Sequence, residues 1–238
     1  MALKNQEIIL AGGTGGLGSA LSTLLLEEGA KLTLSFHHQE QRTRQWEGRA
    51  ALVQADLTSA SDRAKLLAAA PSLYGLVVLA GDPARVSDPS QMESAMLRSH
   101  AVNYLGPILL ARQAAERMKA ASIPGSIVLI STMQANALFA GSTAYAAQKE
   151  ALQHAARILA KECRGAANIR VNVVSPGVMA AGMAEASIAS GKYDRFIDED
   201  VISRFGRAED IARAVRFFLE PDNYITGQVL CVDGGMTL

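Results

Sequence analysis

Short, continuously apolar runs rich in β-branched residues recur along the chain at 7–11, 31–36, 50–54, 75–80, 126–130, 169–174 and 228–232. Between them lie alanine- and leucine-rich segments with helical spacing, such as LGSALSTLLLEEG, ASDRAKLLAAA and NYLGPILLARQAAERMKA. A strand that is apolar on both faces is covered on both faces, and strand–helix alternation joins such strands in parallel. The pattern therefore predicts an α/β fold: a Rossmann-like, doubly wound parallel sheet of about seven strands with helices on both faces, spanning 1–238 as one domain. One interval fits neither period, 179–206, rich in small residues and bracketed by glycines. It is expected to be a substrate-covering loop with short helices.

Composition narrows the class. The chain is 49% hydrophobic, enough for a sizeable core, and its 23 basic residues balance 23 acidic ones. No basic stripe points to nucleic acid, no run reaches membrane-spanning length, and the start of the chain lacks the features of a secretory leader. The expected compartment is the cytoplasm. Cys163 and Cys231 stand far apart without metal-ligand spacing, so both are read as buried, reduced thiols, and no metal is expected.

In a sheet of this kind the ligand binds beyond the carboxyl ends of the strands, where strand order reverses. The residues that follow each apolar run therefore carry the chemistry. After the first run comes AGGTGGLGSALSTLLLEEG, with Gly12, Gly16 and Gly18 at the turn and helix start. Glycines there let the backbone come close to a pyrophosphate, whose charge the amides of the helix start stabilise.

This Gly-x-x-x-Gly-x-Gly loop resembles that of the short-chain dehydrogenase/reductase family, in its compact single-domain branch. The resemblance runs nearly the full length of the chain. It implies that Gly12, Thr14, Gly16, Leu17 and Gly18 cradle a dinucleotide. Where the family often has an acidic residue after the second strand this chain has Phe36, followed by His37 and His38, with Arg42 and Arg44 nearby. A missing carboxylate beside cationic or potentially cationic groups favours NADP(H), with NAD(H) as the alternative cofactor. Asp56 and Leu57 match the adenine pocket. Leu79-Ala80-Gly81 stands where the family usually has Asn-Ala-Gly. Pro176, Gly177 and Val178 match the turn beneath the nicotinamide ring, although Ala180 and Ala181 replace the threonine that commonly follows.

Tyr145 and Lys149 stand at i and i+4, on one face of a helix. A nearby ammonium stabilises a phenolate, so the tyrosine pKa is expected to fall from about 10 toward neutrality, fitting it for proton exchange with a carbonyl or alcohol. Lys149 would also hold the nicotinamide ribose, and Asn103 matches the asparagine that supports a water beside that lysine. The family's serine precedes the tyrosine by thirteen residues, which lands on Thr132. Alternation along a strand points Ser131 to the opposite face, so Thr132 is assigned the orienting role, with Ser131 the fallback if the strand ends early or bulges.

The resemblance thus implies an NADP(H)-preferring oxidoreductase that interconverts a ketone and a secondary alcohol, most similar to 3-oxoacyl-[acyl-carrier-protein] reductases. Its substrate would be a small-molecule or acyl-thioester carbonyl compound. The alternatives are an NAD-dependent alcohol or hydroxysteroid dehydrogenase, and a cofactor-binding scaffold of weak or lost activity. Self-association as a homotetramer through helices 104–120 and 143–163 and the last strand is also implied.

Overall fold

The computed structural model describes residues 2–86 and 88–238. Seven strands form one parallel sheet: β1 (Glu7–Ala11), β2 (Lys31–Phe36), β3 (Ala51–Gln54), β4 (Leu73–Val78), β5 (Ser126–Ile130), β6 (Arg170–Pro176) and β7 (Val229–Val232). Their order is β3-β2-β1-β4-β5-β6-β7, so the order reverses between β1 and β4. The helices are α1 (Gly16–Glu27), α2 (Ala60–Ala68), α3 (Met92–Ser99), α4 (Gly106–Ala120), α5 (Thr143–Glu162), α6 (Glu185–Ala189), α7 (Arg195–Asp198) and α8 (Ala208–Leu219).

Alternate residues of each central strand feed two cores. Ile9, Leu76, Ile127 and Leu129 pack under α4 and α5, while Ile8, Leu10, Val77 and Val128 pack under α1 and α8. Burial of both faces explains why these strands read as unbroken apolar runs. The 75–80 run enters the sheet two residues early and leaves it early. The amides of Leu79 and Ala80 both donate to the Ala11 carbonyl, at 2.8 and 3.0 Å, which turns the chain out at the switch point.

The helix expected to run continuously over 104–120 instead begins as a π-helical stretch, His100–Leu105, before α4. Pro107 is the cause: it has no N–H to give and its ring crowds the carbonyl of Asn103, so the turn widens. Gly106 lies so close to the Leu57 carbonyl that a side chain there would approach it to 2.8 Å.

Cys163 is buried, but Cys231 is exposed, contrary to the expectation that both are buried. Its strand, β7, is the sheet edge, covered on fewer sides than the strands inside.

Candidate active site

Gly12, at the end of β1, adopts a φ of +88°, and a side chain there would meet the Ala80 amide at 2.9 Å. Its own N–H is held by Ser35 Oγ at 3.0 Å. Gly18 sits over the same turn, where a Cβ would lie 2.4 Å from the Gly12 carbonyl. α1 then starts with no side-chain cap and no acidic residue in its first turn. Its leading amides are therefore free of competing side-chain acceptors and carry the partial positive charge of a helix start. A cradle closed to any side chain, opening onto an uncapped helix, fits the pyrophosphate of a dinucleotide. Thr14 is buried within this turn, and Leu17 is part-buried on the helix.

At the end of β2, Phe36 accepts the Ala55 amide through its carbonyl at 2.9 Å. His37 and His38 follow, exposed, with ring centroids 3.5 Å apart. Asp56 Oδ1 accepts from the Thr58 N–H and hydroxyl, both at 2.8 Å, and its Oδ2 lies 3.9 Å from His37 Nε2. Leu57 is buried, with its carbonyl taken by Arg63 at 2.7 Å. Arg42 and Arg44 lie in exposed 3-10 turns beyond. No carboxylate occupies the tip of β2 itself.

The other side of the crevice is built from β4, β5 and α5. Lys149 is buried, and its ammonium donates to the Ile130 carbonyl at 2.9 Å. Asn103, inside the π-helical stretch, is fully buried; it accepts the Asp82 N–H at 3.0 Å and donates to the Asp82 carbonyl at 2.8 Å and to Ser99 Oγ at 2.9 Å. Both groups converge on Gly81, where a Cβ would stand 3.0 Å from Asn103 Oδ1 and 3.6 Å from Lys149 Nζ. A side chain at Gly81 would thus press on the Asn103 amide at the switch point.

The two neighbouring hydroxyls part. Ser131 Oγ turns back into α5 and donates to the Lys149 carbonyl at 3.2 Å. Thr132 is placed on the Tyr145 side, where its hydroxyl favours the ionised form of the Tyr145 phenol. The expected fall in the tyrosine pKa is absent. Burial pushes Tyr145 up to about 12 against the pull of the Thr132 hydrogen bond, and the Tyr193 hydroxyl adds to the rise. Lys149, lowered to about 8 by burial, donates its hydrogen bond to the Ile130 backbone carbonyl. Desolvation dominates both groups here.

Pro176 ends β6, and Gly177 comes so close to Asp233 that a Cβ would lie 2.7 Å from its Cα. Val178 is buried and accepts the Gly206 N–H at 3.0 Å. The interval that follows folds back as a strap and two short helices, α6 and α7. A Cβ on Gly16 would meet the Gly182 amide at 2.8 Å, so the strap crosses the glycine loop. Arg85 ties it down by donating to the Met183 carbonyl at 2.6 Å and to Ser187 Oγ at 3.1 Å. Ile188, Tyr193, Phe196 and Ile197 pack against buried Met133, Val178 and Ile202. Sequence reasoning passed over Asp82, Asn136 and Gln153. Only Gln153 left a signal, a polar residue four positions beyond Lys149 on an apolar helix face.

A family model described as Enoyl-(Acyl carrier protein) reductase matches residues 11–237. The chain belongs to the short-chain dehydrogenase/reductase family. This short-chain dehydrogenase/reductase is 28% identical over 263 residues to "NADPH-dependent aldehyde reductase 2, chloroplastic" of Arabidopsis thaliana, covering 100% of this chain and 96% of that one. It is 33% identical over 255 residues to "2-(S)-hydroxypropyl-CoM dehydrogenase 3" of Xanthobacter autotrophicus, covering 99% and 98%. A solved structure titled "short chain dehydrogenase/reductase family protein" superposes with a TM-score of 0.84 at 33% identity, covering 99% of this chain and 98% of that one. Like these relatives, the short-chain dehydrogenase/reductase described here is an oxidoreductase of CH–OH and C=O groups. None of its helices, among the described residues, is long and apolar enough to cross a membrane.

Proposed function

We propose that this enzyme is an NADP(H)-preferring oxidoreductase that interconverts a ketone and a secondary alcohol, with 3-oxoacyl thioesters or related keto compounds as the substrate class. The observation that carries the reading is the pairing of the Thr132 hydroxyl with that of Tyr145, on the helix whose Lys149 ammonium is buried against the Ile130 carbonyl and Gly81 at the switch point. A substrate carbonyl seated there accepts hydrogen bonds from both hydroxyls. The nicotinamide, when bound, supplies the hydride in reduction and takes it in oxidation. As charge gathers on the carbonyl oxygen, Tyr145 transfers its hydroxyl proton to it, leaving the alcohol and a phenolate that Lys149 stabilises by charge. Thr132 holds the oxygen in line without changing its own protonation. The reverse direction needs the phenolate, so with Tyr145 pushed up to about 12 it is favoured only at alkaline pH, where the phenolate takes the alcohol proton.

Preference for the phosphorylated cofactor is supported by the uncharged Phe36 at the tip of β2, by the two exposed histidines after it, and by a relative named as NADPH-dependent. The strap and short helices of 179–206 serve as the substrate cover. Asn103 supports the lysine end of the site through the loop it pins at Asp82.

The test follows NADPH absorbance while wild-type and Tyr145→Phe proteins meet 3-oxoacyl thioesters, diketones and cyclic ketones. Turnover that depends on Tyr145 supports the reading. NADPH binding without turnover across the panel would return the protein to the scaffold alternative.

A further inference from the structure

The catalytic assignment leaves one buried amide on α5 without a role. Gln153 lies one helical turn beyond Lys149 and is 1% exposed, between the apolar, equally buried Leu152 and Ala156. An aliphatic side chain would fill this place without the desolvation cost that an amide carries, so the amide's partners matter.

Its Nε2 donates twice, to Ser131 Oγ at 3.0 Å and to Asn136 Oδ1 at 3.2 Å. Those acceptors bracket Thr132. Ser131 directly precedes it, and Asn136 closes the 3-10 turn Met133–Ala135 that Thr132 begins. The donor directions are fixed throughout. Because Ser131 Oγ receives from Gln153, its own proton goes to the Lys149 carbonyl at 3.2 Å. Because Asn136 Oδ1 also receives, its Nδ2 is presented to Ser175 Oγ at 2.8 Å and to Cys231 Sγ at 3.1 Å.

Resting on the roles proposed above for Thr132 and Tyr145, we infer that Gln153 is a positioning residue. Its single amide ties both ends of the Thr132 turn to the helix that carries Tyr145 and Lys149, and so sets the distance between the two hydroxyls that share the substrate oxygen. A chain of bonds polarised in one direction resists displacement more than its separate members would. A shift of about 1 Å in an orienting group costs on the order of a hundredfold in rate.

Gln153→Met keeps the volume and removes the donor. With NADPH and the carbonyl substrate that turns over, kcat is expected to fall about tenfold to a hundredfold, while the NADPH dissociation constant stays within about twofold. In a Thr132→Val background the same change should cost less than about twofold, because the group it positions is already gone. A merely structural amide would give losses that multiply in the double variant. That result, or a wild-type kcat in Gln153→Met, overturns the inference. Hydrogen exchange provides a readout without turnover: amides of Gln134 and Asn136, which bond to Thr132 Oγ1 and the Met133 carbonyl, should exchange faster in Gln153→Met while β1 and β4 keep their protection. Unchanged exchange at both amides also overturns it. If Gln153→Met does not fold, Asn136→Ala removes one of the two anchors at an exposed residue and is put through the same cycle with Thr132→Val: a smaller loss of about threefold that vanishes in the Thr132→Val background is expected, and a wild-type kcat or losses that multiply overturn the inference. Tyr145→Phe runs alongside. Turnover retained in that variant sinks the site assignment, whereas an inactive Tyr145→Phe beside a normal Gln153→Met sinks only the role of Gln153.

Discussion

Ser131 Oγ donates to the backbone carbonyl of Lys149 at 3.2 Å, and so the residue beside Thr132 is bound to the helix that carries Tyr145 and Lys149. Thr132→Val is therefore expected to lower turnover by about a hundredfold, the scale for losing one positioned donor. Ser131→Ala should lose far less, because Asn136 still anchors the turn. Steady-state kinetics on both variants decide the matter, and the reverse ranking hands the orienting role to Ser131.

Cofactor choice should follow the tip of β2. NADPH is expected to bind at pH 7 more tightly than NADH. In Phe36→Asp a carboxylate would accept ribose hydroxyls and repel a 2′-phosphate, moving the ratio of dissociation constants toward NADH by about tenfold or more. Fluorescence titration with each nucleotide reads it, and tighter NADH binding by the wild type would sink the argument.

Lys149, not Tyr145, should set the alkaline limb of carbonyl reduction. Tyr145, pushed up to about 12, keeps its proton throughout the ordinary range, whereas Lys149, lowered to about 8, loses its charge within it. The profile of kcat/KM for reduction is expected to be level below that point and to decline above it. Lys149→Met should be slow at every pH and show no such limb. A limb surviving in that variant belongs to another group.

Asp210 links folding stability to acid. In the first turn of α8 it accepts from the Arg207 N–H at 2.8 Å, from Arg204 at 2.7 Å and from Arg213 at 2.5 Å. The Arg204 hydrogen bond is the chief reason its pKa drops from 3.8 to about 2. A carboxyl that holds its proton less tightly when folded stabilises the fold above its unfolded pKa and loses that contribution as pH falls through its folded one. Asp210→Asn is expected to cost about 1 kcal/mol at neutral pH. Denaturant unfolding should show the deficit shrinking from about pH 4 toward pH 2. A constant offset would remove the ionised carboxylate as its cause.

Assembly is expected to be a dihedral homotetramer. Leu105, Ile158 and Leu230 are exposed on the π-helical stretch before α4, on α5 and on β7, which are the elements implied as contacts. Light scattering at micromolar concentration should give the tetramer mass, and Ile158→Asp should reduce it. A wild-type monomer rejects the arrangement.

Much of the fold was legible because the chain is locally consistent. The runs at 7–11, 31–36 and 126–130 coincide with β1, β2 and β5, since residues buried on both faces leave no polar interruption. The glycines were legible because backbone contacts, such as that of Gly12 with Ala80, exclude any other residue. The π-helical widening before Pro107 was not read, although proline placed the cause in view. Least legible was the ionisation of Tyr145. Spacing puts an ammonium near a phenol, but only the packing around them reveals that burial wins and that the ammonium faces the Ile130 carbonyl. The anchoring of Thr132 depends on Asn136 and Gln153 meeting across a fold, which no periodicity announces.

The strap and short helices after β6 begin and end at nearly one point. Ala180 donates to the Gly206 carbonyl at 2.7 Å, and Gly206 donates to the Val178 carbonyl at 3.0 Å, pairing Met179 with Gly206 in a single parallel bridge. The loop is thus closed at its base by backbone bonds that do not depend on its side chains. Lengthening such a loop costs little, since closure entropy grows only logarithmically with length. The neck therefore works as a graft point, where a donor segment of different size and polarity can be spliced between Met179 and Gly206 while β6, α5 and the catalytic hydroxyls keep their register.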